Sequence, residues 1–399
     1  MKTKELIADK LDQLEKELFE RYTETPSMSL LTGNGGLALF YFNMHRTFRK
    51  DIYRERAEIL LEHAMEQLNN GVRSFTYCDG LTGLAFLLNY LHEKEFLDDS
   101  ITDFLKQCDD ILYNVFGRMQ QKGNTDLLHG SLGLAAFLLD RYKSGHVSFD
   151  RIATVAAAMC RNLDLITGLE KHPGDQQPQE VYINCGMAHG TVSLIFFLSR
   201  YYELVEKKPE IAGSVRAGVD NLLQFKSTNP ESISVFPSIV KLNGSSFETT
   251  YDIPLGWCYG DTIVSIGLYY AAKILNDADL LMEAEQLALT ATKRNTPRKA
   301  LVHDACLCHG GAGLAHMYRK WYGFTGNEVF NENYRHWMDH TLELSKHPDG
   351  CGGFKKYEGG PFSDTLGLLD GAAGMGLVLM DYLADDKENN DWDRVLMMS

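Results

Sequence analysis

The chain has 399 residues, and its 54 acidic and 39 basic side chains give a formal net charge of −15. That field repels a phosphate backbone, and no Lys/Arg run of the kind found on nucleic-acid surfaces occurs, so nucleic acid is ruled out as a partner. A hydrophobic share of 44% allows a large core. No stretch approaches the roughly 18 consecutive apolar residues that a membrane span needs.

In chain order, the first 20 residues place Leu6, Ile7, Leu11, Leu14 and Leu18 at helical spacing with charges between them. This is an amphipathic helix rather than the unbroken apolar core of a signal peptide. A cytoplasmic protein is therefore expected, its eight cysteines being reduced thiols or metal ligands rather than disulfides.

From Gly33 onward one phrase recurs: a glycine, two variable residues, usually a second glycine, then an apolar helical run. The copies are GNGGLALFYF from Gly33, GLTGLAFLLNYL from Gly80, GSLGLAAFLL from Gly130, GTVSLIFFL from Gly190, GDTIVSIGLYY from Gly260, GGAGLAHMY from Gly310 and GAAGMGLVLMDYL from Gly371. Successive first glycines lie 47, 50, 60, 70, 50 and 61 residues apart, room for two helices per copy. The runs after the glycines are apolar nearly all round and must be buried on every face, whereas the segments between them, such as YRERAEILLEHAMEQL, are amphipathic. Two concentric layers satisfy both demands. The expected fold is thus all-α, a toroid of seven repeats, with residues 1–399 forming one domain because repeats fold as one array. Only Ser232 to Gly244 reads as a hairpin or irregular insertion, at about 228–250 in the longest interval. Gly36, Gly83 and Gly374 read as purely structural.

Register places the residue before each first glycine at one central opening: Thr32, Asp79, His129, His189, Tyr259, His309 and Asp370. Two adjoining copies also carry cysteine two residues before the glycine, Cys258 in GWCYG and Cys308 in LCHGG. Equivalent positions of neighbouring repeats lie close together, so Cys258, Cys308 and His309 form a Cys₂His set. Zn²⁺ suits thiolate and imidazole, and three ligands leave a fourth position open, as in catalytic sites. A thiol arriving there would lose its proton at neutral pH. Cys78, Cys108, Cys160, Cys185, Cys306 and Cys351 read instead as small buried hydrophobes. His189, in MAHG, falls in the preceding copy, where Met187 stands as the counterpart of the cysteines. It is placed to act as a general acid or base, with Asp126 orienting or charge-balancing such a histidine.

Together, GWCYG, LCHGGAG, MAHG and the repeated glycine phrase resemble the lanthionine synthetase C-like family, the lanthipeptide cyclases, over about residues 28–385. The resemblance implies an α/α toroid of seven inner and seven outer helices with a catalytic zinc. It implies addition of a precursor-peptide cysteine thiol to dehydroalanine or dehydrobutyrine, forming a thioether ring. By motif, Cys258, Cys308 and His309 match the zinc ligands, His189 the histidine that handles the proton, and Asp126 the acidic residue of the third repeat. The implied partners are a dehydrated precursor peptide (leader plus core), a separate dehydratase and an export ATPase, which would hold the protein peripherally at the membrane. Two other readings stay open: a transferase adding a small thiol such as glutathione, and a non-catalytic zinc-stabilised peptide scaffold. The sequence departs from the family at Pro254, where an arginine is usual, so Arg298 or Lys299 would have to enter from a loop. It also has Ser193 in place of a second glycine.

Overall fold

The recurrent glycine phrases and the charged stretches between them fold into two sets of helices. The computed structural model describes residues 2–25, 27–168, 181–243, 246–384 and 391–399. In chain order the helices are α1 (Lys2–Arg21), α2 (Asn34–Phe48), α3 (Asp51–Asn69), α4 (Leu81–Glu93), α5 (Thr102–Gln121), α6 (Ser131–Lys143), α7 (Phe149–Gly168), α8 (Thr191–Leu204), α9 (Pro209–Gln224), α10 (Asp261–Leu275), α11 (Ala278–Thr292), the short α12 (Pro297–Ala300), α13 (Gly311–Thr325), α14 (Glu328–Glu343) and α15 (Ala372–Leu383). Five short strands accompany them: β1 (Val181–Asn184), β2 (Ile239–Asn243), β3 (Ser246–Thr249), β4 (Lys356–Tyr357) and β5 (Phe362–Ser363).

Burial separates the layers. In α4 every residue from Leu81 to Leu91 is buried. In α5 the buried residues include Leu105, Cys108, Leu112, Val115 and Phe116, a single helical stripe. The inner helices α2, α4, α6, α8, α10, α13 and α15 pack in that order, and α15 returns onto α2 to close the ring. Outside them, α3 packs on α2, α5 on α4 and α6, α7 on α6 and α8, α9 on α8 and α10, α11 on α10, and α14 on α13. The outer partner of α15 is α1, from the other end of the sequence. The fold is an all-α toroid of seven inner and seven outer helices.

Ahead of each inner helix the chain passes the same point, and the passes are stitched together by backbone hydrogen bonds. Leu31 N–H donates to Cys78 O (3.3 Å), Cys78 to Leu128 (2.9 Å), Ala188 to Cys258 (3.4 Å), Cys258 to Cys308 (3.3 Å), Cys308 to Leu369 (3.1 Å) and Leu369 to Leu31 (2.9 Å). This chain of six links between residues two before each glycine keeps the next residues, Thr32 to Asp370, at one mouth, and the junction of the third and fourth repeats is bridged by the side chains of Asp126 and His189. It also corrects the register by one in the fourth repeat: the counterpart of Cys258 is Ala188, not Met187.

The insertion between α9 and α10 contributes β2 and β3, and β2 pairs antiparallel with both β3 and β1. Gly244 lies outside the described residues. At the other end of the toroid, residues 391–399 run into the ring. Arg394 pairs with Glu93 of α4 and Asp140 of α6, and Asp393 with His316 and Lys320 of α13. Trp392 donates to Asp381 of α15, and Tyr270 of α10 donates to Met398 O. A segment touching inner helices on all sides lies on the axis, and Trp392 and Val395 are fully buried there.

Gly260 caps α10 with φ +96° and ψ 173°, whereas the first glycines of the other six repeats have negative φ. Only glycine occupies that region without strain. A Cβ there would also lie 2.2 Å from Pro254 O. Gly260→Ala is expected to cost at least about 2 kcal/mol, read as a lower midpoint in denaturant unfolding. An unchanged midpoint would show that the loop relaxes freely.

Candidate metal centre

The loops before α10 and α13 approach closely because Gly256 has no side chain. A Cβ there would lie 2.8 Å from Cys308 O and 3.0 Å from His309 Cα. Trp257 N–H donates to Cys308 O at 2.7 Å, and Cys258 N–H shares the same acceptor. With the two turns clamped, one ligand atom from each of Cys258, Cys308 and His309 lies within 4.8 Å of the others. Tetrahedral thiolate ligands of a zinc ion are about 3.7 Å apart, given bonds of about 2.3 Å. The donor set fits a soft divalent ion.

The electrostatics agree. Cys258 is pulled below the ordinary thiol range, first by its hydrogen bond with Cys308 and, against burial, by His309. Cys308 moves up as its partner moves down, both through the hydrogen bond the two thiols share. Elsewhere burial pushes thiols the other way: Cys108 and Cys185 rise to about 12. All eight cysteines are free thiols, and Cys160 is only partly buried.

A second cluster, Asp304, Cys306 and His309, shares the histidine. Its donors are already engaged. Asp304 accepts from the backbone N–H of Cys306 (3.0 Å) and of Tyr357 (2.8 Å), and Cys306 Sγ accepts from His309 N–H at 3.5 Å. Cys306 is fully buried, whereas Cys258 and His309 are partly exposed. The set built from Cys258 is the one open to an incoming group. Asp304, with Oδ2 4.0 Å from His309 Nε2, adds negative charge behind the ring.

Across the mouth, His189 Nδ1 and Asp126 Oδ2 are 2.5 Å apart. Asp126 also accepts from His129 N–H at 2.7 Å. The Asp126 bond raises His189 above the ordinary imidazole value, with burial opposing and Cys258 assisting. Burial pushes Asp126 upward, but the hydrogen bonds from His189 and His129 win and lower it. The bond occupies Nδ1 and leaves Nε2 for another partner. The His129 ring stacks on His189 at 6.2 Å, and the Tyr259 ring lies 6.2 Å away on the other side. Tyr259 Oη accepts from Asn184 Nδ2 at 2.9 Å.

A profile described as lanthionine synthetase C-like protein matches residues 25–397. The chain belongs to the lanthionine synthetase C-like family. Among solved structures this family member is similar to nisin cyclase: the two share 16% sequence identity, the match covers 98% of this chain and 97% of that chain, and the TM-score is 0.77. That likeness establishes the shared toroid fold.

The cations of this lanthionine synthetase C-like chain sit differently from expectation. Arg298 and Lys299 are exposed on and around α12 and do not enter the mouth in place of an arginine at Pro254. The buried cation of that segment is Arg294, which donates to Ile253 O (2.7 Å) and Lys299 O (2.9 Å) and supports the GWCYG loop from behind. The cation beside the mouth is Lys356, on β4, whose Nζ lies 3.0 Å from Asp370 Oδ2. No sequence signal marks it, because a two-residue strand carries no periodicity. No described helix is long and apolar enough to cross a membrane.

Proposed function

We propose that the protein is a zinc-dependent lanthipeptide cyclase, with Cys258, Cys308 and His309 as metal ligands and His189 and Asp126 as the acid–base pair. The observation that carries this reading is the placement of a three-donor metal set and a carboxylate-held imidazole at one mouth, on neighbouring repeats. A zinc ion held by the three ligands would supply the Lewis acidity that keeps a peptide thiol deprotonated at neutral pH. The thiolate sulfur adds to the β-carbon of dehydroalanine or dehydrobutyrine, and the displaced π electrons pass to the α-carbon and carbonyl oxygen as an enolate. His189, held as imidazolium by Asp126, gives its Nε2 proton to the α-carbon. The thiol proton passes to solvent and solvent returns one to His189, so the addition is balanced and needs no oxidant.

The dehydrated precursor peptide is the substrate and partner under this reading, supplied by a separate dehydratase; cytoplasmic placement and an export ATPase partner belong to the same proposal. The test incubates the zinc-loaded protein with a dehydrated cognate peptide and titrates free thiols. Loss of peptide thiol at constant mass supports ring formation. Consumption of added glutathione with a matching gain in mass would instead identify a small-thiol transferase, and no loss of either thiol would leave only the scaffold reading.

A further inference from the structure

Trp257 stands between the metal centre and the segment on the toroid axis. Its indole is 2% exposed, and Nε1 donates to Leu396 O at 3.0 Å. Its backbone N–H makes the 2.7 Å bond to Cys308 O, and the next residue is Cys258. The indole position therefore constrains the 257–258 peptide plane and with it the direction of the Cys258 Cα–Cβ bond. A buried indole N–H without an acceptor is costly, so the ring stays where Leu396 O meets it. Leu396 is in turn held by its neighbours: Arg394 pairs with Asp140 and Glu93, and Val395 O accepts from Tyr77 Oη at 2.8 Å.

We infer that Trp257 is a positioning residue for the metal centre, and that residues 391–399 set the direction of the Cys258 thiol through it. The arrangement is one-sided. The residue before the other cysteine ligand is Leu307, whose side chain makes no hydrogen bond, so only Cys258 is tied to the axial segment. A matched contact exists where no ligand is involved: Tyr77 precedes Cys78, the counterpart of Cys258 in the second repeat, and meets the carbonyl next to Leu396. The comparison of Trp257 with Tyr77 thus separates aim at the metal from general anchoring of the segment.

This inference rests on the metal reading, and its test keeps the two apart. Trp257→Phe retains an aromatic ring and removes the N–H; Tyr77→Phe removes the matched hydroxyl. Zinc affinity is measured by competition with a chromophoric chelator, and ligand geometry by the visible spectrum of the cobalt-substituted protein. Trp257→Phe is expected to weaken zinc about tenfold, the lower end for an outer partner of a metal site, and to shift the cobalt bands. Tyr77→Phe is expected to stay within about twofold of the parent, since its neighbour Cys78 holds no metal. Amide exchange over residues 255–259 in the zinc-free protein reads the tie without metal and is expected to be faster in Trp257→Phe alone. Equal zinc affinity and unchanged exchange in Trp257→Phe, or an equal loss in Tyr77→Phe, would overturn the inference. A parent chain that binds no zinc defeats the metal reading, and the exchange comparison then still decides whether Leu396 holds the Cys258 loop.

Discussion

Replacing Cys258 by alanine is expected to lower bound zinc from about one ion per chain to nearly none, because a Cys₂His set reduced to one thiolate and one imidazole no longer balances the ion's charge. The fold should survive. Ala188 occupies the equivalent place in the fourth repeat and makes the same kind of backbone bond, to Cys258 O. Thiol addition should fall by about a thousandfold or more, since Lewis-acid activation is worth several kcal/mol. Metal analysis, circular dichroism and the thiol assay together check this. Retention of one zinc by a folded Cys258→Ala protein would move the centre to Asp304, Cys306 and His309.

The second large effect belongs to the imidazole across the mouth. His189→Asn is expected to lower the rate about 100- to 10,000-fold while leaving zinc content unchanged, the loss typical of removing a positioned acid. Asp126→Asn tests the cause. Asp126 raises His189, so the imidazolium persists above its ordinary range, and the rate should fall only as pH rises through that raised value. Without the carboxylate charge the imidazole loses its proton at lower pH, so the alkaline limb of the rate profile should move down. The acid limb, set by the thiol, should stay in place. A profile unmoved on both sides would remove His189 from the proton step.

How much of this was readable beforehand follows from what register conveys. Cys258 and Cys308 are 50 residues apart in sequence, and the repeat alone makes them neighbours, because equivalent turns are joined by the Cys258-to-Cys308 backbone bond. Asp126 and His189 also stand on adjoining repeats, though at different places in the phrase, and their side chains make the link themselves. The toroid was readable for a related reason: helices apolar on every face admit few solutions other than a covered ring. Register must be counted from the glycine: Ala188, two residues before Gly190, is the counterpart of Cys258, and Met187 lies one place too early. Outside the glycine phrase register is silent. Cation choice was not readable either, since charge says nothing about which of Arg294, Arg298, Lys299 and Lys356 is buried or meets a carboxylate. Residues 391–399 carry no copy of the phrase, and their role emerges only from the partners that surround them.

The pairing of α1 with α15 has a kinetic meaning. Beside it, between α14 and β4, Gly352 O accepts from Lys10 at 2.7 Å and Gly352 N–H donates to Glu17, so this seam joins residues more than 300 positions apart. Contacts that remote are slow to form because a long loop must close first. The residues of the proposed chemistry, from Asp126 to His309, all lie on the consecutive third to sixth repeats, away from that seam. The working arc can assemble from neighbours before the ring closes, and a fluctuation that parts α1 from α15 uncovers the toroid on the side that holds no reacting group.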